Sequence, residues 1–182
     1  MKLLSLSLFS LFIAPHVHAA SVQNYVLVSG EVSYLAEHSF HETHGVSKSV
    51  KGKGTCKEHV CEFLVAVPVK SFDSQNGNRD AHMVEVTKGA EFPLVTVRLN
   101  VTTEPRPQAA DLKPTVTFAG ITGPMKIETI EVKESPESIS VKTSGSFRLK
   151  DFSIPAPSLL GVAVKDVVRI DTDLVWKLEG GK

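Results

Sequence analysis

Three histidines, His38, His41 and His44, follow one another at three-residue intervals and are the first candidates for chemistry in this sequence. Imidazole nitrogens bind zinc, copper and nickel, so a single metal ion held by all three is one alternative. On a regular strand, however, His38 and His44 share a face but lie about 20 Å apart, because each residue advances the chain by about 3.3 Å. One ion could therefore bind all three only if the strand ended and the chain folded back near Gly45.

A second group of polar residues, Arg79, Asp80 and His82, could in principle perform acid–base chemistry. Asp80 lies where a helix is expected to begin, so we interpret it as a carboxylate that complements the positive end of the helix dipole. We interpret Arg79 as a side chain that holds a loop carbonyl or a carboxylate. The sequence contains no G-x-S-x-G nucleophile motif and no phosphate-binding loop. We therefore predict that the protein is not an enzyme and uses no cofactor.

Cys56 and Cys61 are the two cysteines of the chain, and four residues separate them. Catalytic dithiols are usually closer together, in C-x-x-C motifs that begin a helix. Two cysteines alone also cannot form a closed tetrahedral zinc site. A hairpin that turns at residues 57–60 would put the two side chains opposite each other, so we predict a structural disulfide across two strands.

The N-terminal residues have the pattern of a secretory signal peptide. A positively charged start precedes an apolar run over residues 3–14, and small residues follow at Val17 and Ala19. The run is shorter than the ~20 apolar residues that a membrane-spanning helix needs. We predict cleavage after Ala19, so that residues 1–19 are the signal peptide and residues 20–182 form one domain without an integral membrane anchor. This predicts export to the periplasm, with secretion as an alternative.

The overall charge of the chain is balanced, with 20 Lys and Arg residues against 20 Asp and Glu residues. Such a balance gives no global field that would attract nucleic acids or an anionic membrane, so we expect no nucleic-acid partner. A hydrophobic content of 42% is ordinary for a globular protein and argues against disorder. A local basic strip, formed by Lys48, Lys51, Lys53 and Lys57, is interpreted as a solvated strand edge that discourages pairing with other chains.

Alternating apolar and polar residues dominate the rest of the sequence and predict strands with one buried and one solvated face. Such one-sided strands are typical of antiparallel sheets. Residues 63–69 are apolar at both parities, which predicts a strand covered on both faces. The strands with clear alternation span residues 32–40, 94–102, 138–149 and 168–178, and further strands are predicted at residues 25–28, 46–56, 116–121 and 125–132.

One helix is predicted near residues 78–88, with Asn78 as its N-cap and Gly89 as its stop. A shift of the apolar parity between Ile127 and Ile130 predicts a bulge. The sequence lacks alternating strand–helix units and a long linker, so we predict a single all-β domain. About eight one-sided strands bury their shared apolar face in a closed antiparallel barrel, which leaves no edges. A barrel of that size is either filled by side chains or holds one small ligand.

Two groups of motifs stand out in the sequence. They are Ser71-Phe72-Asp73-Ser74, Asn76, Asn78-Arg79-Asp80, His82-Met83 and Phe92-Pro93, followed by Gly145-Ser146-Phe147-Arg148-Leu149, Phe152-Ser153-Ile154, Pro157 and Asp166-Val167-Val168-Arg169-Ile170. Their order and spacing resemble the YceI-like family, and the resemblance covers residues 24–177. It implies an extended lipocalin-like barrel that carries a long apolar chain, such as a polyisoprenoid or a fatty amide, and export to the bacterial periplasm. It also favours the hollow form of the barrel, which the strand pattern by itself leaves open.

We therefore predict an exported carrier that holds a long-chain hydrophobic ligand, a polyisoprenoid or fatty-chain lipid, inside the barrel. His38 follows the apolar parity of its strand and faces the interior, where it could orient the polar end of the ligand or, as a core histidine, hydrogen-bond a buried partner. Two alternatives stay open: a periplasmic metal-binding protein that uses the three histidines, and a stress-related envelope interaction protein with a filled barrel. A homodimer is likewise left open. The predicted pocket-lining residues are Tyr34, His38, Phe40, Phe63, Val65, Val97, Leu99, Phe118, Val141, Phe147, Ile170, Leu174 and Trp176.

Overall fold

The computed structural model describes residues 22–38, 42–159 and 162–180. The predicted signal peptide, residues 1–19, lies outside these residues. Within them the chain forms twelve strands and the helix α1 (Gly77–Val86). The strands are β1 (Val22–Glu37), β2 (Glu42–Ser47), β3 (Lys51–Lys57), β4 (Val60–Pro68), β5 (Leu94–Thr102), β6 (Thr115–Phe118), β7 (Ile121–Pro124), β8 (Lys126–Glu134), β9 (Ser138–Arg148), β10 (Ser158–Leu159), β11 (Val162–Ala163) and β12 (Val167–Leu178).

Ten of the strands form one curled antiparallel sheet around the long strand β1. One side of β1 pairs with β12, and the other side pairs first with β3 and further along with β2. The strand order is β7-β6-β5-β4-β3-β1-β12-β9-β8, with β2 beside β1. The predicted all-β antiparallel fold with one short helix is confirmed. Among the described residues the two terminal strands, β7 and β8, do not pair with each other, so the sheet is a half-barrel with a seam rather than a fully closed barrel.

Two bulges adjust the curvature of this sheet. The bulge predicted in β8 is confirmed by a register shift between Ile127 and Thr129. A second shift, between Leu27 and Ser29, interrupts the pairing of β1 with β12. The short strand predicted at residues 25–28 is therefore part of β1, which bends at the bulge and continues.

The prediction that β4 is covered on both faces is wrong. Phe63, Val65 and Val67 point into the curled sheet, whereas Val60 and Leu64 point outward and are 61% and 40% exposed. No second layer packs against this side of the sheet in the described part of the chain. The apolar residues of the outward parity therefore belong to an exposed surface.

The helix α1 begins at Gly77, one residue before the predicted start. Asn76, rather than the predicted Asn78, is the N-cap, because its side-chain oxygen accepts hydrogen bonds from the backbone N–H groups of Asn78 and Arg79. The Arg79 guanidinium donates to the carbonyl oxygen of Ser74 at 2.9 Å, which confirms that it holds a loop carbonyl. The Asp80 carboxylate accepts the backbone N–H of the same serine. No helix in the described residues is long and apolar enough to cross a membrane.

A cluster of aromatic rings fills the part of the half-barrel near β6 and the end of β9. Phe118, Phe147 and Phe152 contact one another with ring centroids 5.2–6.0 Å apart. Phe152 is 1% exposed and is among the largest fully buried side chains of the protein. The rings lie edge-on or tilted, the geometry that aromatic pairs prefer. This cluster closes one part of the interior and leaves the rest open.

The disulfide between Cys56 and Cys61 joins β3 to β4 at directly opposed positions. Because the bond closes a very short loop, the chain-entropy model gives a stabilisation of about 2 kcal/mol. Replacing both cysteines by alanine is expected to lower the free energy of unfolding by about this amount, as measured by urea denaturation. Reductant should destabilise the native chain to the same extent and leave the double variant unchanged. Equal stability of the oxidised native chain and the double variant would contradict this expectation.

Candidate ligand-binding cavity

The concave face of the curled sheet surrounds a cavity of about 700 Å³. Its wall is formed by the inward positions of β1, β4, β5, β6, β8, β9 and β12, and α1 contributes one side. The volume lies within the range of about 300–1,000 Å³ that is typical of small-molecule sites. Since alternate residues of each one-sided strand are apolar, the wall is predominantly apolar and suits a hydrophobic ligand.

Twelve of the thirteen predicted pocket residues line this cavity. Phe40 lies outside the described residues. Contact of these side chains with a ligand stays a prediction, but their common location follows directly from the strand parity. The twelve are Tyr34, His38, Phe63, Val65, Val97, Leu99, Phe118, Val141, Phe147, Ile170, Leu174 and Trp176.

Other parts of the cavity wall come from segments that the strand pattern did not indicate. Met83 and Val86 of α1 line the cavity, and their spacing on one helical face was a usable signal. Leu112 and Pro107 line it from the segment between β5 and β6. That segment has no hydrophobic period, so no signal in the sequence pointed to its role.

Polar side chains gather at the end of the cavity where α1 faces β1 and β2. Tyr34, His38, Thr43 and Arg79 all line this end. Burial raises the pKa of the Tyr34 hydroxyl, the nearby Asp80 carboxylate raises it further, and the Arg79 guanidinium opposes the rise. The phenol therefore stays protonated at neutral pH and is available both as a donor and as an acceptor. This end of the cavity can receive the polar group of a ligand.

The seam of the half-barrel is covered by the segment between β5 and β6. Arg106 forms an ion pair with Glu134 at the end of β8, and both side chains line the cavity. The short 3₁₀ turn Ala109–Asp111 packs against β8, and Leu112 is buried beside it. Residues 103–114 thus form a strap that spans the gap left by the missing strand pairing.

Two glycines in β3 determine how closely aromatic rings approach the wall. An added Cβ would come within 2.6 Å of the Trp176 ring at Gly52 and within 2.4 Å of the Phe63 ring at Gly54. The two rings also contact each other edge-on, with centroids 5.1 Å apart. Real Cβ atoms do not come this close to another heavy atom. Because both glycines lack a side chain, the two rings pack directly against the backbone of β3 and leave more space in the cavity.

The histidines do not converge as one metal site in the described residues. β1 ends at Glu37, so the prediction that the strand includes His38 is wrong, and the rest of its predicted extension lies outside the described residues. Because the chain folds back there, His38 lines the cavity, whereas His44 pairs with Leu35 and is exposed on the outer face. His41 lies outside the described residues, which contain no group of three His, Cys, Asp or Glu side chains able to hold a metal ion.

Comparison with known proteins agrees with this architecture. The YceI-like domain matches residues 24–176 of the chain. A polyisoprenoid-binding domain from Saccharophagus degradans, implicated in plant cell wall breakdown, is 14% identical with a TM-score of 0.67, covering 84% of this chain and 97% of that chain. BcnA from Burkholderia cenocepacia is 14% identical with a TM-score of 0.65, covering 80% and 95%. At these identities the likeness shows a shared fold. No curated protein sequence gives a significant match.

Proposed function

Since this chain belongs to the YceI-like family, we propose that it is a carrier for a long-chain hydrophobic molecule, bound in the cavity of its curled sheet. The apolar cavity of about 700 Å³ is the observation that carries this proposal. Binding would draw on apolar burial at about 25 cal/mol per Å², reduced by the cost of ordering the ligand. An open cavity also argues against the alternative of an interaction protein with a filled barrel.

The predominantly apolar wall of the cavity supports a ligand with a long apolar part and a polar group, such as a polyisoprenoid or a fatty amide. We place its polar group beside Tyr34 and His38, where hydrogen-bonding side chains lie next to Arg79. The apolar tail would extend along the wall toward Phe63 and Trp176. The structural similarity to a polyisoprenoid-binding domain supports the same ligand class. We propose binding without catalysis, since the sequence has neither a nucleophile motif nor a paired-carboxylate motif.

We further propose that the protein works in the periplasm. Two observations support this location. The N-terminal residues 1–19 have the composition of a signal peptide. The disulfide between Cys56 and Cys61 would persist in an oxidising compartment.

Trp176 provides a direct test of ligand binding, because it is the single tryptophan of the chain and lines the cavity. Addition of a polyprenyl alcohol or a fatty amide to delipidated protein is expected to shift the emission of Trp176 and to saturate at one ligand per chain. Native mass spectrometry of protein purified from its own host should reveal a bound lipid of matching class.

Two controls separate binding in the cavity from unspecific adsorption. A short-chain analogue with the same polar group should leave the emission unchanged, because it buries little apolar surface. The variant Trp176→Phe should lose the signal yet retain the ligand in the mass spectrum. Protein that carries no lipid from its host and takes up neither probe would refute the carrier function.

A further inference from the structure

The convex surface of the sheet carries cations interleaved with apolar side chains. One register row runs across five strands in the order Arg98, Leu64, Lys53, Val26 and Lys177. The neighbours of these residues along each strand point inward, so this row faces outward. We call the outward surface of β3, β4 and the adjoining parts of β5, β1 and β12 the basic face.

Most of the positive charge on the basic face is not neutralised. Lys51, Lys53, Lys57 and Lys177 form no ion pair with any described residue. Arg98 is the exception, because it pairs with Glu62 on β4. The other nearby carboxylates lie at the margin of the face: Glu58 in the hairpin turn, Glu104, which pairs with His59 of that turn, and Glu179 after β12. The face thus presents a surplus of cations.

Exposed apolar residues accompany these cations. Val22 and Val60 flank Lys57 in the strand register and are 57% and 61% exposed. Leu64, which is exposed, and Val26, which is half-buried, flank Lys53 in the same way. Long lysine stems can lie along such apolar surface while their ammonium groups reach outward. Cations with interspersed aliphatic side chains match the chemistry of an anionic membrane surface, where charge attracts and apolar groups enter the headgroup region.

The acidic residues that balance the total charge lie elsewhere on the sheet. Glu31, Asp171, Asp173 and Glu131 surround Lys142 on the outward surface of β1, β12, β9 and β8. Asp173 pairs with this lysine at 2.8 Å. Equal numbers of positive and negative residues therefore conceal an uneven distribution of charge over the surface. Composition alone predicted no attraction to an anionic membrane, but a local surplus of cations allows such a partner.

We propose that the basic face docks the protein on the surface of an anionic lipid bilayer. This inference rests on the proposed function, because a carrier of a membrane-derived lipid must meet the bilayer to load or release it. The basic face reaches the rim of the cavity: the backbone N–H of Thr103, which lines the cavity, donates to the carbonyl of His59 in the β3–β4 turn at 2.7 Å. Single-stranded nucleic acid is disfavoured as occupant, since the row presents valine and leucine where stacking would require aromatic rings.

Vesicle co-sedimentation tests the proposal. The native chain is expected to bind vesicles that contain phosphatidylglycerol, to bind pure phosphatidylcholine vesicles much more weakly, and to dissociate as salt screens the surface charge. The double variant Lys53→Glu, Lys57→Glu should partition at least about 25-fold less, since each lysine near an anionic surface contributes about fivefold. The matched control Lys126→Glu, Lys133→Glu makes the same charge change on the outward surface of β8 and should bind like the native chain.

Three results would overturn the proposal: no binding of the native chain to anionic vesicles, an equal loss in the control variant, or self-association that the same lysine variant abolishes. Self-association of this kind would mean that the basic face contacts the acidic surface of a second copy. Sedimentation velocity would detect the resulting dimer. The emission of Trp176 on addition of solubilised lipid reports the cavity independently. If solubilised lipid leaves the emission of Trp176 unchanged while the native chain still binds vesicles, the carrier function is refuted but the docking face is not.

Discussion

A variant with Gly52→Ala and Gly54→Ala is expected to bind a long-chain lipid about a hundredfold more weakly than the native chain. The added Cβ atoms would meet Trp176 and Phe63 at 2.6 and 2.4 Å, so both rings must move away from the sheet and into the cavity. If each ring displaces about 50 Å² of ligand contact, each costs about 1.3 kcal/mol, or roughly tenfold in affinity. Titration of the delipidated variant with a polyprenyl or fatty-amide probe, followed by native mass spectrometry, measures the effect.

The chain offers a matched control for this variant. Gly77 lies at the start of α1, and an added Cβ there would meet nothing within 4 Å. Gly77→Ala should therefore bind the probe like the native chain. Denaturation of all variants shows whether a weaker affinity reflects cavity width or a loss of folded protein. Unchanged affinity of the double variant, with the protein folded, would mean that the rings do not limit the ligand space.

Replacing Phe152 by alanine is expected to lower the free energy of unfolding by about 3–5 kcal/mol. Phe152 is 1% exposed and contacts Phe118 and Phe147, so its removal loses both apolar burial and two ring contacts. The residue does not line the ligand cavity, which makes this a test of the scaffold. Urea denaturation monitored by circular dichroism gives the value.

Leu94→Ala serves as the comparison for the phenylalanine variant, because Leu94 is also a large apolar residue but is 47% exposed. Its loss should change the free energy of unfolding by no more than about 0.5 kcal/mol, as is usual for surface positions. A Phe152→Ala variant that is equally mild would show that the aromatic cluster is not tightly packed.

The inward face of the sheet could be predicted from the sequence, because the alternation in a one-sided strand indicates which residues share a face. Parity put Leu99 and Trp176 on the inward face, the family resemblance implied that the interior is hollow, and the structure has both residues on the cavity wall. The same reasoning failed for β4, where Val60 and Leu64 break the alternation. Their apolar character belongs to an exposed surface, and a local pattern does not tell a second buried layer from such a surface.

Chain reversals and irregular segments were predictable to a smaller degree. β1 ends at Glu37, but the sequence has no glycine or proline between Glu37 and Glu42 that would indicate this end, so the predicted strand continued past it. The strap over the seam has no hydrophobic period, and its position depends on a long-range ion pair between Arg106 and Glu134. Contacts of this kind depend on the assembled fold and leave no local trace in the sequence.

The pairing of β1 with β12 has a consequence for the order in which the molecule assembles. Tyr25 lies opposite Leu178, so the two ends of the described chain must meet before the sheet is complete. Until β12 inserts between β1 and β9, the sheet consists of two separate parts. Such non-local pairing raises the contact order, and domains of this kind typically fold in about milliseconds to seconds. The sheet can therefore be completed only after the C-terminal strand has been synthesised. Such a delay suits a chain that we propose to be exported, because the unfolded form is the one that passes through a membrane channel.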